Sequence, residues 1–96
     1  MTRDEMLLLL IMEEAAEVAQ TASKCLRFTP QHKVTKDAKT NFERLKTEVL
    51  DLMTILTVYD PKLTYEIFSE EKLEKVEKYF EISRQLGVLN DTKITK

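Results

Sequence analysis

Two pairs of carboxylates, each pair spaced three residues apart, interrupt stretches that otherwise have the apolar periodicity of helices. The first pair is Glu14 and Glu17, and the second is Glu48 and Asp51. Residues at positions i and i+3 share one face of a helix, so each pair predicts two carboxylates on the same side. Any fold that packs these two faces together needs a compensating positive charge, because unpaired ionised carboxylates are costly to bury.

The helical phase of the acids favours a shared site over a solvated surface. At about 100° per residue, Glu14 falls inside the apolar arc of its helix, and Glu17 lies at the edge of that arc. Glu48 falls between apolar positions of the second helix, and Asp51 lies just beyond its margin. Single acid pairs with this spacing are usually ordinary surface residues. Two inward-leaning pairs on antiparallel helices instead predict four converging oxygen ligands, which suit Mg²⁺, with Mn²⁺ as a substitute.

Capping signals divide the chain into three main helices. The motif T-x-x-E at Thr2 predicts a helix from Arg3 to Phe28, and the same motif at Thr40 predicts one over residues 41–59. Asp60-Pro61 predicts the start of a third helix, with a possible break near Ser69, an end at Leu86 and Gly87 as the cap. The basic segment 29–39 is predicted as a loop or flap, and residues 88–96 as a loose tail.

The composition supports an all-α fold. One glycine and two prolines leave little turn material for a multi-stranded sheet. The 96 residues predict a single domain, 1–96, folded as an antiparallel bundle. A core of this size is marginal alone, so we expect a homodimer or homotetramer to complete it. A second apolar strip on the first helix, formed by Leu9, Met12 and Ala16, is the candidate contact with another subunit.

Charge and hydropathy exclude several classes of protein. A net charge of −2 gives no reason to expect nucleic-acid binding. The apolar run Met6–Met12 is too short to span a membrane, and the acids that flank it are unlike a signal peptide. The single cysteine, Cys25, excludes an internal disulfide and fits a reducing compartment, so a cytoplasmic location is expected.

The motifs that the sequence lacks narrow the chemistry. It contains no glycine-rich phosphate loop, no E-x-x-H of di-iron bundles, and no evident Ser/His/Asp constellation. Metal-activated water is therefore the best-supported chemistry. On the third helix, Lys72 and Lys75 lean toward the apolar side. Their stems either cover apolar surface while the ammonium groups reach water, or the ammonium groups face phosphates.

Three further polar residues have two readings each. Asn41 stands seven residues before Glu48, where it either contacts a nucleotide or metal-bound water or simply occupies a first helical turn. Lys24 and Arg27 follow Glu17 along the first helix and either bind phosphate or pair with surface acids.

The segments E-E-A-A-E-V and E-V-L-D resemble the two motifs of the all-α nucleoside triphosphate pyrophosphohydrolases, the MazG-like superfamily. The similarity covers most of residues 6–87 and includes Ser23–Phe28 and the basic segment Lys72–Tyr79, which look like the short phage and bacterial members. The family motif, E-x-x-E followed by E-x-x-D, matches Glu14, Glu17, Glu48 and Asp51. The departures are a long spacer between the motifs and the absence of an obvious fourth core helix.

The resemblance implies Mg²⁺-dependent hydrolysis of a nucleoside triphosphate, with a deoxynucleoside triphosphate as first candidate, to the monophosphate and pyrophosphate. It implies metal ligation by the four motif acids, assistance by Glu13 as an acid or base, and contacts of Lys75 and Tyr79 with the phosphates. It also implies a dimer or tetramer of helical bundles. The alternative is a non-catalytic helical interaction or regulatory protein that has kept the fold.

Overall fold

The computed structural model of the protein describes residues 1–66 and 69–91. These residues form three α-helices, α1 (Arg3–Phe28), α2 (Asn41–Tyr59) and α3 (Glu70–Gln85), and a short 3₁₀ helix at Pro61–Tyr65. The described part of the chain contains no strand, only an isolated antiparallel bridge between Lys33 and Thr40. The prediction of an all-α fold is therefore confirmed.

The two capping boxes set the starts of α1 and α2. At α1, the Thr2 hydroxyl accepts a hydrogen bond from the Glu5 backbone N–H (3.1 Å), and the Glu5 carboxylate accepts one from the Thr2 N–H (2.7 Å). At α2, Thr40 and Glu43 repeat this exchange at 3.0 and 2.8 Å. Each box satisfies backbone N–H groups that have no partner within the first helical turn. The predicted bounds of both helices are confirmed.

Asn41 joins the start of α2 to the end of α1. Its backbone N–H donates to the His32 carbonyl (2.9 Å), and its side-chain amide donates to the Thr29 carbonyl (3.1 Å). The residue is only 3% exposed. Thr29, which ends α1, has a φ of 77°, a value that β-branched residues rarely adopt, and the Asn41 amide binds its carbonyl. This attachment turns the chain so that α2 runs back along α1 and packs against it.

The third predicted helix consists of two pieces. A 3₁₀ helix begins at Pro61, and α3 begins after Ser69, whose hydroxyl accepts a hydrogen bond from the Lys72 N–H (3.3 Å). The predicted break near Ser69 is confirmed. Gly87 follows the end of α3 with a φ of 76°, which glycine adopts without steric cost. Residues 67–68 lie outside the described residues, including Phe68, which the sequence pattern places on the apolar arc of this helix.

The beginning of the predicted loose tail is attached to α3. The backbone N–H groups of Val88 and Leu89 donate to the Ser83 carbonyl at 2.9 and 3.1 Å. The Arg84 guanidinium donates two hydrogen bonds to the Asp91 carboxylate, at 2.7 and 2.8 Å. The prediction of a loose tail over residues 88–96 is therefore wrong for its first part, because these contacts hold residues 88–91 against α3, and residues 92–96 lie outside the described part of the chain.

The chain divides into two compact units, Met1–Leu63 and Thr64–Lys96. Within the described residues, no apolar side chain is buried, and Asn41 is the buried polar residue. The first unit is therefore a helical hairpin with one apolar side still open to solvent. No helix among these residues has the length and apolarity needed to cross a membrane. The antiparallel three-helix bundle and the single domain stay predictions.

Candidate functional site

Three of the predicted ligands meet between α1 and α2. One carboxylate oxygen from each of Glu14, Glu17 and Glu48 lies within 4.8 Å of the other two. Glu14 and Glu17 come from neighbouring turns of α1, and Glu48 comes from the facing side of α2. The convergence depends on the packing of α2 against α1, since residues on two separate helices meet only in a particular register.

Within this carboxylate cluster, Glu14 has a shielded carboxylate oxygen without a hydrogen-bond partner in the described part of the chain. The side chain is half-buried, and its Oε2 atom is shielded from solvent with no hydrogen-bond partner among the described residues. Burial raises the pKa of Glu14, and the charges of Glu17, Asp51 and Glu13 raise it further. A buried acceptor without a partner costs folding free energy, so binding of a proton or a cation at this oxygen would be favourable.

Glu48 and Glu17 interact directly. A hydrogen bond between their carboxyl groups is the largest influence that raises the pKa of Glu48, followed by burial and the charges of Glu17, Glu14 and Asp51. Two carboxyl groups form such a bond only when one is protonated, because ionised carboxylates are acceptors only. A cation bound at the Glu48 carboxylate would therefore compete with a proton there.

Asp51 and Glu13 lie at the periphery of the cluster. Asp51 is exposed and does not belong to the three acids whose oxygens converge, but its charge raises the pKa of both Glu14 and Glu48. Glu13 is exposed, and its charge acts on Glu14. The structure thus brings three of the four predicted ligands together and places the charge of the fourth nearby.

The donor set fits a hard divalent cation. All the converging atoms are carboxylate oxygens, the ligand type that Mg²⁺ and Mn²⁺ prefer. Within the described ranges, every charge that shifts the pKa of Glu14 or Glu48 is negative, so no cationic side chain there compensates these two acids. The unpartnered Glu14 oxygen supports the same fit. Exposed acid clusters also occur in proteins without metals, so ligation stays a prediction.

A polar cavity of about 190 Å³ adjoins the carboxylate cluster in the groove between α1 and α2. Its lining consists of Glu17, Gln20, Thr21, Lys24, Arg44 and Glu48. Lys24, a predicted substrate-binding residue, is half-buried here. The sequence pattern did not select Arg44, although its position one helical turn before Glu48 predicts that the two share a face.

The remaining predicted binding residues have other surroundings. Arg27 lies over the Phe28 ring at 4.9 Å, and the Asn41 amide is committed to the Thr29 carbonyl. On α3, Lys72 is exposed, and the Lys75 ammonium lies 5.9 Å from the centre of the Tyr79 ring. Contacts of these five residues with substrate stay predictions.

No family model, curated protein or solved structure matches this chain. The resemblance to the MazG-like pyrophosphohydrolases therefore rests on the sequence motifs themselves.

The carboxylate cluster predicts an unusual dependence of stability on pH in metal-free protein. The folded-state pKa values of Glu14 and Glu48 are raised above 4.5, so the folded chain binds these protons more tightly than the unfolded chain. Their contribution to stability is fully present below pH 4.5 and is lost as the pH rises through the raised values. We expect Glu48→Gln to reduce this loss, as measured by urea unfolding in EDTA over a pH series.

Glu43→Gln is the matched control on the same helix. Hydrogen bonds from Thr40 lower the pKa of Glu43, so its contribution is present above pH 4.5 and is lost as the pH falls. The two variants should change the pH profile in opposite directions. Parallel profiles for wild type and Glu48→Gln would contradict the interaction between the carboxylates.

Proposed function

We propose that the protein is a Mg²⁺-dependent nucleoside triphosphate pyrophosphohydrolase of the MazG-like type. The observation that supports this most is the meeting of Glu14, Glu17 and Glu48 with no cationic side chain, among the residues that the structure describes, to compensate Glu14 and Glu48. A protein gains nothing in stability from converging acids that repel one another, so their convergence favours a ligand of opposite charge. The order and spacing of the motif acids then favour pyrophosphohydrolysis among metal-dependent reactions.

Each acid has a role in this proposal. Glu14, Glu17 and Glu48 would hold the ion, with the exposed Asp51 as the fourth ligand. Bound Mg²⁺ supplies Lewis-acid polarisation of a phosphate oxygen and lowers the pKa of water. Because the pKa of Glu48 is raised, ion binding at its carboxylate would compete with protonation, which couples binding to pH. Glu13, exposed beside Glu14, accepts a proton from the attacking water.

The reaction breaks the bond between the α-phosphorus and the oxygen that bridges the α- and β-phosphates. The oxygen of water forms the new bond to the α-phosphorus. The bridging oxygen leaves with the bonding electron pair as part of pyrophosphate, and the protons of water pass to Glu13 and on to solvent. The products are the nucleoside monophosphate and intact pyrophosphate, with a deoxynucleoside triphosphate as the first substrate to test.

The uncovered apolar surface supports a homodimer or homotetramer. In the strip of Leu9, Met12 and Ala16, Leu9 is 37% exposed and Met12 is 68% exposed. No apolar side chain in the described ranges is buried, so the hairpin by itself lacks a closed core. Association of chains through this strip would supply the missing burial, as small helical proteins commonly require.

The same exposure is the observation that favours the alternative, a non-catalytic helical interaction protein. Apolar residues of α3, among them Leu73, Val76 and Tyr79, are also exposed and would suit a protein partner. An interaction protein has no use for Mg²⁺, so catalysis and metal-dependent stability distinguish the two functions.

The position of bond cleavage tests the proposed reaction. With deoxynucleoside triphosphates and Mg²⁺ in ¹⁸O-labelled water, we expect the label in the monophosphate and none in pyrophosphate, as read by mass spectrometry. Label in orthophosphate, with diphosphate as the other product, would mean attack at the γ-phosphate. Glu48→Gln should lower turnover at least ~100-fold, because even groups that only support metal ligands are worth 10–100-fold. Glu71→Gln, an exposed acid on α3, is the control and should retain activity.

The effect of Mg²⁺ on stability tests the metal site without catalysis. At ~100 times its dissociation constant, a ligand that binds only the folded state adds about 2.7 kcal/mol. We expect Mg²⁺ to raise the melting temperature of wild type and of Glu71→Gln alike. The increase should be much smaller for Glu17→Gln and for Asp51→Asn, since each removes an oxygen ligand. Equal increases in all four proteins would exclude the carboxylate site.

Substitution within the apolar strip tests association. Met12→Lys should lower the mass measured by light scattering after size-exclusion chromatography, because it places an unpaired charge in the contact. Val34→Lys is a matched control, since Val34 is 69% exposed but lies in the loop outside the strip. A wild-type protein that is monomeric at micromolar concentration would contradict the proposal.

A further inference from the structure

The groove beyond the carboxylate cluster has a different chemical character from the cluster itself. Its cavity of about 190 Å³ is lined both by Glu17 and Glu48 and by the cations Lys24 and Arg44. A second small cavity of about 160 Å³ shares Arg44 and Glu48 with the first and is also lined by Lys39 and Thr47. Arg44 thus takes part in both cavities, next to an acid of the candidate metal site.

Lys24 and Arg44 form no ion pair within the described ranges. Within the described ranges, neither lies within 4.0 Å of a carboxylate oxygen, although both line a cavity with Glu17 and Glu48. Neither is among the groups that shift the pKa of Glu48. Lys39, in contrast, already acts on Glu43, whose pKa it lowers. Lys24 and Arg44 are therefore the cations of the groove that retain their capacity for an anion.

Size and spacing indicate which anion. Binding sites for whole drug-sized ligands have volumes of ~300–1,000 Å³, so a cavity of about 190 Å³ holds only part of a nucleotide. At ~1.5 Å per residue, Arg44 stands about 6 Å along α2 from Glu48, and Lys24 about 10 Å along α1 from Glu17. A polyphosphate with one phosphate at the carboxylate cluster would extend its next phosphates along this distance. The Thr21 hydroxyl and the Gln20 amide line the same path and are hydrogen-bond donors.

We propose that Arg44, together with Lys24, forms a pyrophosphate subsite in the α1–α2 groove. This inference rests on the proposed function, which sets the orientation of the triphosphate in the groove. The α-phosphate lies at the carboxylates, and the β- and γ-phosphates extend toward Arg44. The guanidinium binds two phosphate oxygens at once with a planar pair of N–H donors, and the Lys24 ammonium contributes a point charge. Negative charge on the leaving group grows as the bond to the α-phosphorus breaks, so these cations stabilise the transition state more than the substrate.

This assignment differs from the one implied by the sequence resemblance. There, Lys75 and Tyr79 on α3 contact the phosphates, and the leaning Lys72 is a further candidate. Lys24 and Arg44 belong instead to the same compact unit as the carboxylates, so they need no particular placement of α3. The two assignments make opposite predictions for substitutions at Arg44 and at Lys75.

The test is calorimetric titration of the full chain with pyrophosphate at a constant Mg²⁺ concentration. We expect Arg44→Gln to weaken binding at least tenfold, and Arg44→Lys, which keeps the charge but loses the paired donors, to fall between Arg44→Gln and wild type. Lys46→Gln removes a charge from the same helix outside both cavities and should bind like wild type. Lys24→Gln is a second variant at the subsite, and each melting temperature shows whether the variant is folded.

Activity measurements separate the subsite from the proposed function. In hydrolysis assays, Arg44→Gln should raise KM for the triphosphate, lower kcat and weaken inhibition by added pyrophosphate. The subsite is overturned if wild type fails to bind pyrophosphate, if folded Arg44→Gln and Lys24→Gln bind it like wild type, or if Lys75→Ala alone abolishes binding. A wild type that binds pyrophosphate through Arg44 but releases none from triphosphates would support the subsite and overturn the proposed function.

Discussion

Repulsion among three converging carboxylates, two of them half-buried, is the constraint on which the rest of the site depends. Glu14, Glu17 and Glu48 meet where α1 and α2 pack together, and the pKa values of Glu14 and Glu48 rise because burial and like charge disfavour ionisation. Positions between packed helices usually carry apolar side chains, but here they carry acids. In our interpretation, the repulsion between these carboxylates destabilises the hairpin, and a bound cation offsets that destabilisation. Function and stability are then linked through the same three side chains.

The hairpin holds this arrangement through polar contacts as much as through apolar ones. Asn41 binds the start of α2 to the loop that follows α1, with a backbone hydrogen bond to His32 and a side-chain hydrogen bond to Thr29, the residue that caps α1. The capping boxes at Thr2 and Thr40 define where each helix begins. Because a helix is rigid over a few turns, a fixed start of α2 also fixes the height of Glu48 and Arg44 against α1. The contacts at the start of α2, about one to two turns away, therefore set the geometry of the groove.

The apolar surface of the described residues is more than one hairpin can cover. Leu26 is 89% exposed, and the strip around Met12 is open as well. A folded chain gains most of its stability from apolar burial, so a surface of this kind is typical of a protein that associates. An enzyme assembled from copies of this chain and a module that binds another protein share this requirement. Only the carboxylate cluster and the adjacent cationic groove distinguish the first from the second.

Local sequence determined the helices, because caps and periodicity act within a few residues. The bounds of α1 and α2 and the break at Ser69 were all predicted from motifs of this range. Helical phase is also a local property, and it placed each acid pair on the inward side of its helix. From this the sequence predicted that the two pairs share a site. It did not predict that Asp51 stands outside the three converging acids, or that the Asn41 amide is buried against Thr29. Nor did it identify Arg44 as part of the groove. These three features depend on the rotation and register of α2 against α1, which only packing between residues distant in sequence decides.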